Sequence, residues 1–568
     1  MGAAALLFFG PLVIYYFSSG AIRNAWARAE MAWYHNFLLA GALGIPSIFS
    51  VLLMPMAQPV GDRIGAALGM GAIIGGASWI CIFLFGSDSN KSGESHRRGQ
   101  AVATAKEIAK ETRRQPHQFT IGGVPIPSHI EPLSFLLDGA QGSGKSQAFL
   151  EMLEPVRKNR QRAIVADMGG EFLSRLYQPG DIILNPFDSR SVSWSPLSEM
   201  RGIWDAKRLA ASIIPDGHGA VVEWNQYAQT IVEGVLRRLW EKGEGSNAEL
   251  LRLLTTDTSY KAIDENGRPV QKNELADLME GLPASRLFAL GNERMLGSIM
   301  GIVGVRIGAL EALDPDAGFD SFSIKKWIEQ DGENWLFVTS TDDQLTFLKP
   351  LIGAVVDVAA SSVLSLNSRN PARRIWFSLD EYTSIAPVQS IADLLQKGRK
   401  YGGCVVMGVQ SLSQLFEKHG ERGGQSILGT LSTWLCLRSP DPQTAEYISK
   451  FVGDAEVRRV MSSGGESDGK SSSNWAEQIV TKRAVLASEF QNLDPLIGML
   501  SIAGSTRPCW VNIPISKLER NTEEFQAREM RPRPQKKPQP PVQQEQQPIQ
   551  KSPEPAPQTA GWDMDDLP

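Results

Sequence analysis

Residues 139–146 read Gly-Ala-Gln-Gly-Ser-Gly-Lys-Ser and fit G-x-x-x-x-G-K-[ST] at every fixed position. An apolar run, Leu133 to Leu137, leads into them, and a helix-like stretch, Gln147 to Leu153, follows. Strand, loop and helix in that order form the setting a phosphate-binding loop needs, which a chance glycine-rich turn lacks. The glycines let backbone N–H groups converge on phosphate oxygens, and the helix N-terminus favours negative charge. The pattern predicts that Gly139, Ala140, Gln141, Gly142, Ser143, Gly144, Lys145 and Ser146 cradle ATP. Lys145 would reach the β- and γ-phosphates, and Ser146 would hold Mg²⁺.

The rest of the chain supplies the strands and helices such a loop requires. Ala163 to Ala166, ending in Asp167, reads as a buried strand, and Ile182-Ile183-Leu184 as another. Further strand signals lie at Trp335 to Val338, Ile375 to Leu379, Cys404 to Val409, Thr433 to Leu437 and Cys509 to Ile513. Helices such as Leu348 to Ser365 and Ile391 to Lys400 fall between them. Buried apolar strands alternating with helices indicate an α/β fold with a largely parallel sheet. From about Trp204 to Trp327 strand-like runs vanish, and helical periodicity dominates in Tyr227 to Leu239, Leu275 to Leu282 and Met295 to Leu313. This stretch reads as an inserted all-α domain. Ser462 to Asn474, rich in Ser and Gly, reads as a flexible loop.

Ile375 to Leu379 ends in Asp380-Glu381, an apolar strand closing on two carboxylates. In phosphate-loop enzymes this is the Walker B arrangement. Asp380 would position Mg²⁺, directly or through water, and Glu381 would orient and polarise the attacking water. The strand Cys404 to Val409 ends in Gln410, either a γ-phosphate sensor or a polar strand cap. Arg399, in Lys397-Gly398-Arg399-Lys400-Tyr401-Gly402-Gly403, is either a solvated basic turn or an arginine acting across a subunit boundary. Arg438 is a second arginine candidate.

Residues 1–22 carry no charged side chain, Phe37 to Met56 is a second uncharged apolar stretch, and Ile64 to Gly86 a third. Each approaches the length of a membrane-spanning helix, about 20 residues. The first lacks a basic flank and a small-residue cleavage site, so an anchor is expected rather than a removed signal. Lys91, Arg97 and Arg98 follow the third stretch and place the remaining chain in the cytoplasm. A net charge of −5 excludes a generically basic nucleic-acid coat, so any nucleic-acid contact must be local. The four cysteines are scattered without C-x-x-C, and no zinc site or disulfide framework is expected. The last 38 residues hold ten prolines and eight glutamines, a composition that cannot bury a core. Their tip, Gly561 to Pro568, is either a short docking motif or an acidic end.

These motifs, in this order, resemble the type IV secretion coupling proteins of the TraD/TraG (TrwB-like) group. The resemblance spans roughly residues 119–515 and is carried by the phosphate loop, Asp167 to Phe172, Leu184-Asn185-Pro186-Phe187-Asp188, the block Trp376 to Ser411, and Leu437-Arg438-Ser439-Pro440. It implies a RecA-like motor with an inserted all-α domain, preceded by transmembrane helices, and a homohexamer with ATP between neighbouring subunits. It also implies a bacterial inner-membrane protein that links relaxase-bound single-stranded DNA to a type IV secretion channel. Accessory relaxosome proteins would bind the tail. On this basis Arg399 is the trans-acting arginine and Gln410 the sensor. The chain departs from the family in showing three apolar stretches where two spans are usual. The expected division is a transmembrane region at 1–86, a connector at 87–118, the motor at 119–203 and 328–520, the insertion at 204–327, and a disordered tail at 521–568. Two other functions fit the same motifs: an ATP-dependent receptor for protein effectors, and an FtsK-like double-stranded DNA pump.

Overall fold

The computed structural model describes residues 94–529, apart from 218, 264–267, 290, 468–469 and 506. The three apolar stretches, the first part of the connector and the Pro/Gln-rich tail from 530 lie outside the described residues.

In chain order the strands are β1 (Glu94–Gly99), β2 (Ala103–Thr104), β3 (His117–Ile121), β4 (Val124–Pro127), β5 (Phe135–Asp138) and β6 (Arg162–Met168). There follow β7 (Ile182–Leu184), β8 (Ser259–Ile263), β9 (Pro269–Asn273), β10 (Leu336–Ser340), β11 (Ile375–Leu379) and β12 (Gly403–Val409). The last are β13 (Thr433–Cys436), β14 (Asp454–Ser467), β15 (Lys470–Arg483), β16 (Ile497–Ser501) and β17 (Cys509–Asn512). Ten of them form one sheet in the order β2-β17-β16-β13-β5-β12-β11-β6-β10-β7. All neighbours in it are parallel except β16, which runs against both β13 and β17.

The central strands are buried on both faces, which explains their unbroken apolar runs. Successive side chains leave a strand on opposite sides. Phe135 and Leu137 accordingly pack with Phe149, Leu150 and Leu153 of the helix Lys145–Lys158. Leu136 joins Val355, Val356 and Ala359 of the helix Asp342–Leu364 on the other face. That second helix is apolar enough to cross a membrane by length and composition, but here it is core.

The insertion holds helices at Ile203–Ile213, Val221–Lys242, Asn247–Thr255, Glu274–Leu278 and Glu293–Ile307. It is not wholly helical: β8 and β9 form an antiparallel hairpin. That hairpin is largely exposed and buries no apolar face, so no alternating pattern announced it. The entry and exit of the whole insertion are tied by one carboxylate. Glu199, fully buried, accepts hydrogen bonds from Trp194 Nε1 (2.9 Å), Ser323 Oγ (3.0 Å), Ile324 N (2.7 Å) and Lys325 N (3.0 Å). It thereby caps the helix Ile324–Glu329, where the chain returns to the motor.

Three further expectations change. Ser462 to Asn474 is not a loop: it lies mostly within β14 and β15, two fourteen-residue strands paired as a hairpin and joined by β1. Ladder hydrogen bonds come from backbone, which Ser and Gly supply as well as any residue, so their composition did not reveal it. β16 also went unread, its run interrupted by Gly498. Residues 521–529 do not begin a disordered tail but strap the first part of the motor. Asn521 N donates to Ser174 O (2.7 Å), and Arg528 N to Phe187 O (2.8 Å). Arg190 clamps buried Asp188 through two bonds (2.9 and 2.7 Å) and reaches Thr522 Oγ1 (3.0 Å).

Glu199→Ala would strand four donors at the neck of the insertion. It is expected to cost about 3–5 kcal/mol, the range for removing one partner of a buried charge-assisted network. Denaturant unfolding with limited proteolysis of the insertion measures this, and Glu199→Gln, which keeps one acceptor oxygen, should lose clearly less.

Candidate nucleotide site

The phosphate loop leaves β5 and enters the helix Lys145–Lys158. Its backbone is tied to both neighbouring strands: Gly139 N donates to Val409 O (3.1 Å), and Ala140 N to Arg438 O (2.9 Å). Gly142 and Gly144 have φ of +73° and +110°, the left-handed region where a side chain is strained. A Cβ on Gly144 would also lie 2.8 Å from Leu496. The first-turn N–H groups at Lys145, Ser146 and Gln147 have no partner within the helix and carry its positive end.

Strand order brings the second half of the site to the loop. β12 lies between β5 and β11, and all three are parallel, so Gly139, Gln410 and Asp380 emerge at the same end of the sheet. Lys145 Nζ lies 3.0 Å from Glu381 Oε2, both side chains being largely buried. Glu381 Oε1 accepts from Thr383 Oγ1 at 2.5 Å. Asp380 Oδ1 is buried with no partner among the described residues, an acceptor left open at the place where Mg²⁺ would sit. Among the described residues there is no cluster of three or more His, Cys, Asp or Glu suited to a metal. Ser146 and Asp380 therefore fit a Mg²⁺ whose other ligands are phosphate oxygens and water.

Gln410 is exposed just past β12, beside the loop. Arg438 follows β13 at the same end, its carbonyl holding Ala140 N, while its buried Nε has no partner among the described residues. Arg399 is elsewhere. It is exposed in the turn Gly398–Tyr401, which precedes β12 and so lies at the opposite end of the sheet. Seven residues of strand separate the two ends, about 23 Å at ~3.3 Å per residue. The structure does not bring Arg399 to Lys145 of its own chain.

Two carboxylates without an assigned role complete the ring around the loop. Asp138, the last residue of β5, is fully buried and accepts from Ser439 Oγ. Asp167 on β6 accepts from Leu173 N at 2.7 Å. Burial pushes the Asp138 carboxyl up to about 7, with Ser439 and Lys145 opposing the rise. Burial likewise raises Asp167 to about 7, its amide bond from Leu173 opposing and Asp380 and Glu171 adding to it. Asp380 rises to about 6, again mainly by burial, against the pull of Lys145. A strand-end Asp is common, so sequence alone did not single out Asp138 or Asp167.

The sign follows from linkage. A carboxyl raised in the folded state contributes stability that is complete below its unfolded value near 4 and is lost as pH rises to about 7. Asp138→Asn is therefore expected to raise the melting temperature of the ligand-free protein by a few degrees at pH 8, with the difference vanishing at pH 4. Affinity for Mg²⁺–nucleotide should move oppositely, weakening as pH falls through about 6, where Asp380 takes up a proton. Titration of nucleotide binding between pH 5 and 8 checks it.

The sequence profile of the type IV secretion-system coupling protein DNA-binding domain matches residues 118–514. The coupling protein TraD of Escherichia coli (strain K12) is 25% identical over 414 residues, covering 70% of this chain and 55% of TraD. The chain thus spans about half the length of that curated relative. The solved structure of the bacterial conjugative coupling protein TrwBdeltaN70, unbound, superposes with a TM-score of 0.67 at 31% identity, covering 76% of this chain and 97% of that one. TrwB with the non-hydrolysable ATP analogue ADPNP matches with a TM-score of 0.66, as does TrwB with ADP and Mg²⁺, each at 31% identity and covering 76% of this chain and 97% of the other. The sheet, the phosphate loop and the helical insertion are thus those of a RecA-like P-loop NTPase with an inserted, mostly α-helical domain, and the chain belongs to the type IV secretion-system coupling protein family.

Proposed function

We propose that the chain is an ATP-driven motor of conjugation that moves relaxase-bound single-stranded DNA toward a type IV secretion channel. The observation that carries the ATPase part is the Lys145–Glu381 contact of 3.0 Å. It sets the lysine for the transferred phosphate beside the carboxylate that would orient water. ATP bound here places its phosphates on the first-turn N–H groups and on Lys145, which releases Glu381 to the attacking water. Ser146 and Asp380 would hold Mg²⁺, which would supply positive charge against that of the phosphates. The DNA part rests on membership of the coupling protein family, whose matching profile is that of its DNA-binding domain, whereas the ATP-analogue and ADP–Mg²⁺ complexes of TrwB support the nucleotide part.

Further parts of the reading concern assembly. The apolar stretches within residues 1–86 anchor the chain in the bacterial inner membrane, with the motor cytoplasmic. Copies form a closed ring, a homohexamer, in which Arg399 completes a neighbour's site and Gln410 senses the γ-phosphate. The motor also takes in residues 103–118 of the expected connector, whose β2 pairs with β17 in the ten-stranded sheet, and the strap 521–529; the other bounds expected from sequence are kept. Accessory relaxosome proteins bind the tail beyond it.

Hydrolysis by the purified full chain with and without single-stranded DNA tests the reading. Single strands should raise turnover severalfold, and Lys145→Ala should abolish hydrolysis and DNA transfer. Transfer at the normal frequency in that variant ends the motor reading. Stimulation by duplex alone selects a double-stranded pump, and no stimulation with intact effector binding selects a receptor.

The trans role of Arg399 has its own test. Lys145→Ala and Arg399→Ala chains should each be inactive, yet a one-to-one mixture should recover roughly a quarter of wild-type hydrolysis for random pairing in a closed ring. A mixture as inactive as its components removes Arg399 from the site.

A further inference from the structure

A cavity of about 380 Å³ opens between the insertion and the motor, directly behind Glu381. Arg306 of the insertion, Lys349 of the helix Asp342–Leu364 and Lys418 of the helix Leu412–Thr430 line it. All three are half-buried, and none has a hydrogen bond or ion pair with any described residue. One carboxylate, Glu417, shares the wall and is exposed, so the lining carries three cations against one anion. Like charges gathered in a partly desolvated space repel, and a bound anion offsets that cost.

The same wall reaches the catalytic carboxylate. Thr383 Oγ1 lies 2.5 Å from Glu381 Oε1 and 3.1 Å from Gln414 Oε1, and Thr383 and Gln414 both line the cavity. A hydroxyl has one proton and can donate to one of these oxygens at a time. The shorter contact is to Glu381, so in this state the carboxylate is held from both sides, by Lys145 and by Thr383.

We propose that this cavity binds a phosphodiester group of the nucleic-acid strand, and that Thr383 and Gln414 convert its occupancy into release of Glu381. An anion among Arg306, Lys349 and Lys418 takes a hydrogen bond from the Gln414 amide nitrogen. The Gln414 oxygen then faces Thr383 as a more strongly polarised acceptor, because donors and acceptors in a chain reinforce one another. The Thr383 proton turns to Gln414, and Glu381 Oε1 becomes free to orient water. Thr383 and Gln414 are positioning residues here, acting through Glu381. The inference rests on the DNA-motor reading and specifies where in the fold the strand is felt.

Two measurements on the full membrane-embedded chain test it. In the first, a fluorescent single-stranded oligonucleotide is titrated against wild type, Lys349→Ala/Lys418→Ala and Lys349→Arg/Lys418→Arg. The alanine pair should bind at least ten-fold more weakly, with the slope of log affinity against log salt reduced by about 0.7, the value for one phosphate of a single strand, and the arginine pair should restore both. Equal affinity and slope in the alanine pair overturn the cavity assignment while leaving the motor reading intact. A wild-type chain that no oligonucleotide binds or stimulates overturns both. Displacement of the oligonucleotide by millimolar inorganic phosphate, with no matching effect of chloride, assigns the cavity to free phosphate and overturns the strand assignment.

In the second, hydrolysis by Thr383→Val and Thr383→Ser is compared. The valine variant should show a DNA-free kcat raised toward the stimulated value, an unchanged KM for ATP and a stimulation factor near one. The serine variant, which keeps the hydroxyl, should behave as wild type. Wild-type stimulation in Thr383→Val overturns the relay.

Discussion

The contact between Lys145 and Glu381 is the constraint around which the motor is arranged. The two residues stand 236 positions apart and meet only because β12 lies between β5 and β11 with all three strands parallel. β12 must also let the chain after β11 pass close over it. A Cβ on Gly408 would fall 2.0 Å from Asp380 O, so the strand has no side chain at the level where Asp380 leaves the sheet. The Glu381 carboxylate pairs with the lysine that a phosphate would otherwise meet. Three buried acids around the loop, Asp138, Asp167 and Asp380, are raised by the same shortage of water. Cations arriving with nucleotide relieve a charge imbalance the apo site already carries.

The insertion, like the strap, is held by a buried carboxylate. Its two chain crossings are adjacent because Glu199 caps the returning helix Ile324–Glu329, and Lys325 reaches Asp205 at the insertion's first helix (3.3 Å). This neck of charge-assisted bonds acts together with the apolar core that the insertion shares with the helix Asp342–Leu364 and with the buried Ser212–Asp357 hydrogen bond to place Arg306 relative to Lys349 and Lys418. A shift of the neck changes the spacing of those cations, and through Thr383 and Gln414 that spacing bears on the catalytic carboxylate. Position, more than contact area, is what the neck controls.

What the sequence made legible follows from how each feature is encoded. The phosphate loop is local, eight consecutive residues between a strand and a helix, and it stands where its pattern placed it. The central strands are legible because burial on both faces demands continuous apolar runs, and the insertion because the apolar period changes. β8, β9, β14 and β15 were not, because an exposed or Ser/Gly-rich ribbon is held by backbone ladders without an apolar signature. Asp138, Glu199 and the Thr383–Gln414 pair were hidden for another reason. Each is a single polar residue whose meaning comes from partners far along the chain. The segment Asn185 to Asp188 was noticed only as a family-like piece. Its physical role is visible in space: Asp188 and Arg190 anchor the strap at 521–529.

The direction of β12 settles a point the motifs leave open. Arg399 and Gln410 are eleven positions apart, close enough in sequence to suggest a single local constellation. Because a strand runs between them, they are as far apart as the sheet allows. Gln410 faces the phosphate loop of its own chain, whereas Arg399 faces away from it, beyond any reach of its side chain. An arginine so placed can meet a phosphate only in another copy, presented by packing one end of this sheet against the opposite end of the next. Such a contact is heterologous, and repeated with a fixed rotation it either closes into a ring or continues as a filament. The membrane anchor proposed for residues 1–86 would hold the axes of the copies parallel and favour closure. If Arg399 acts on nucleotide, then, the polarity of a single buried strand already requires a second copy of the chain.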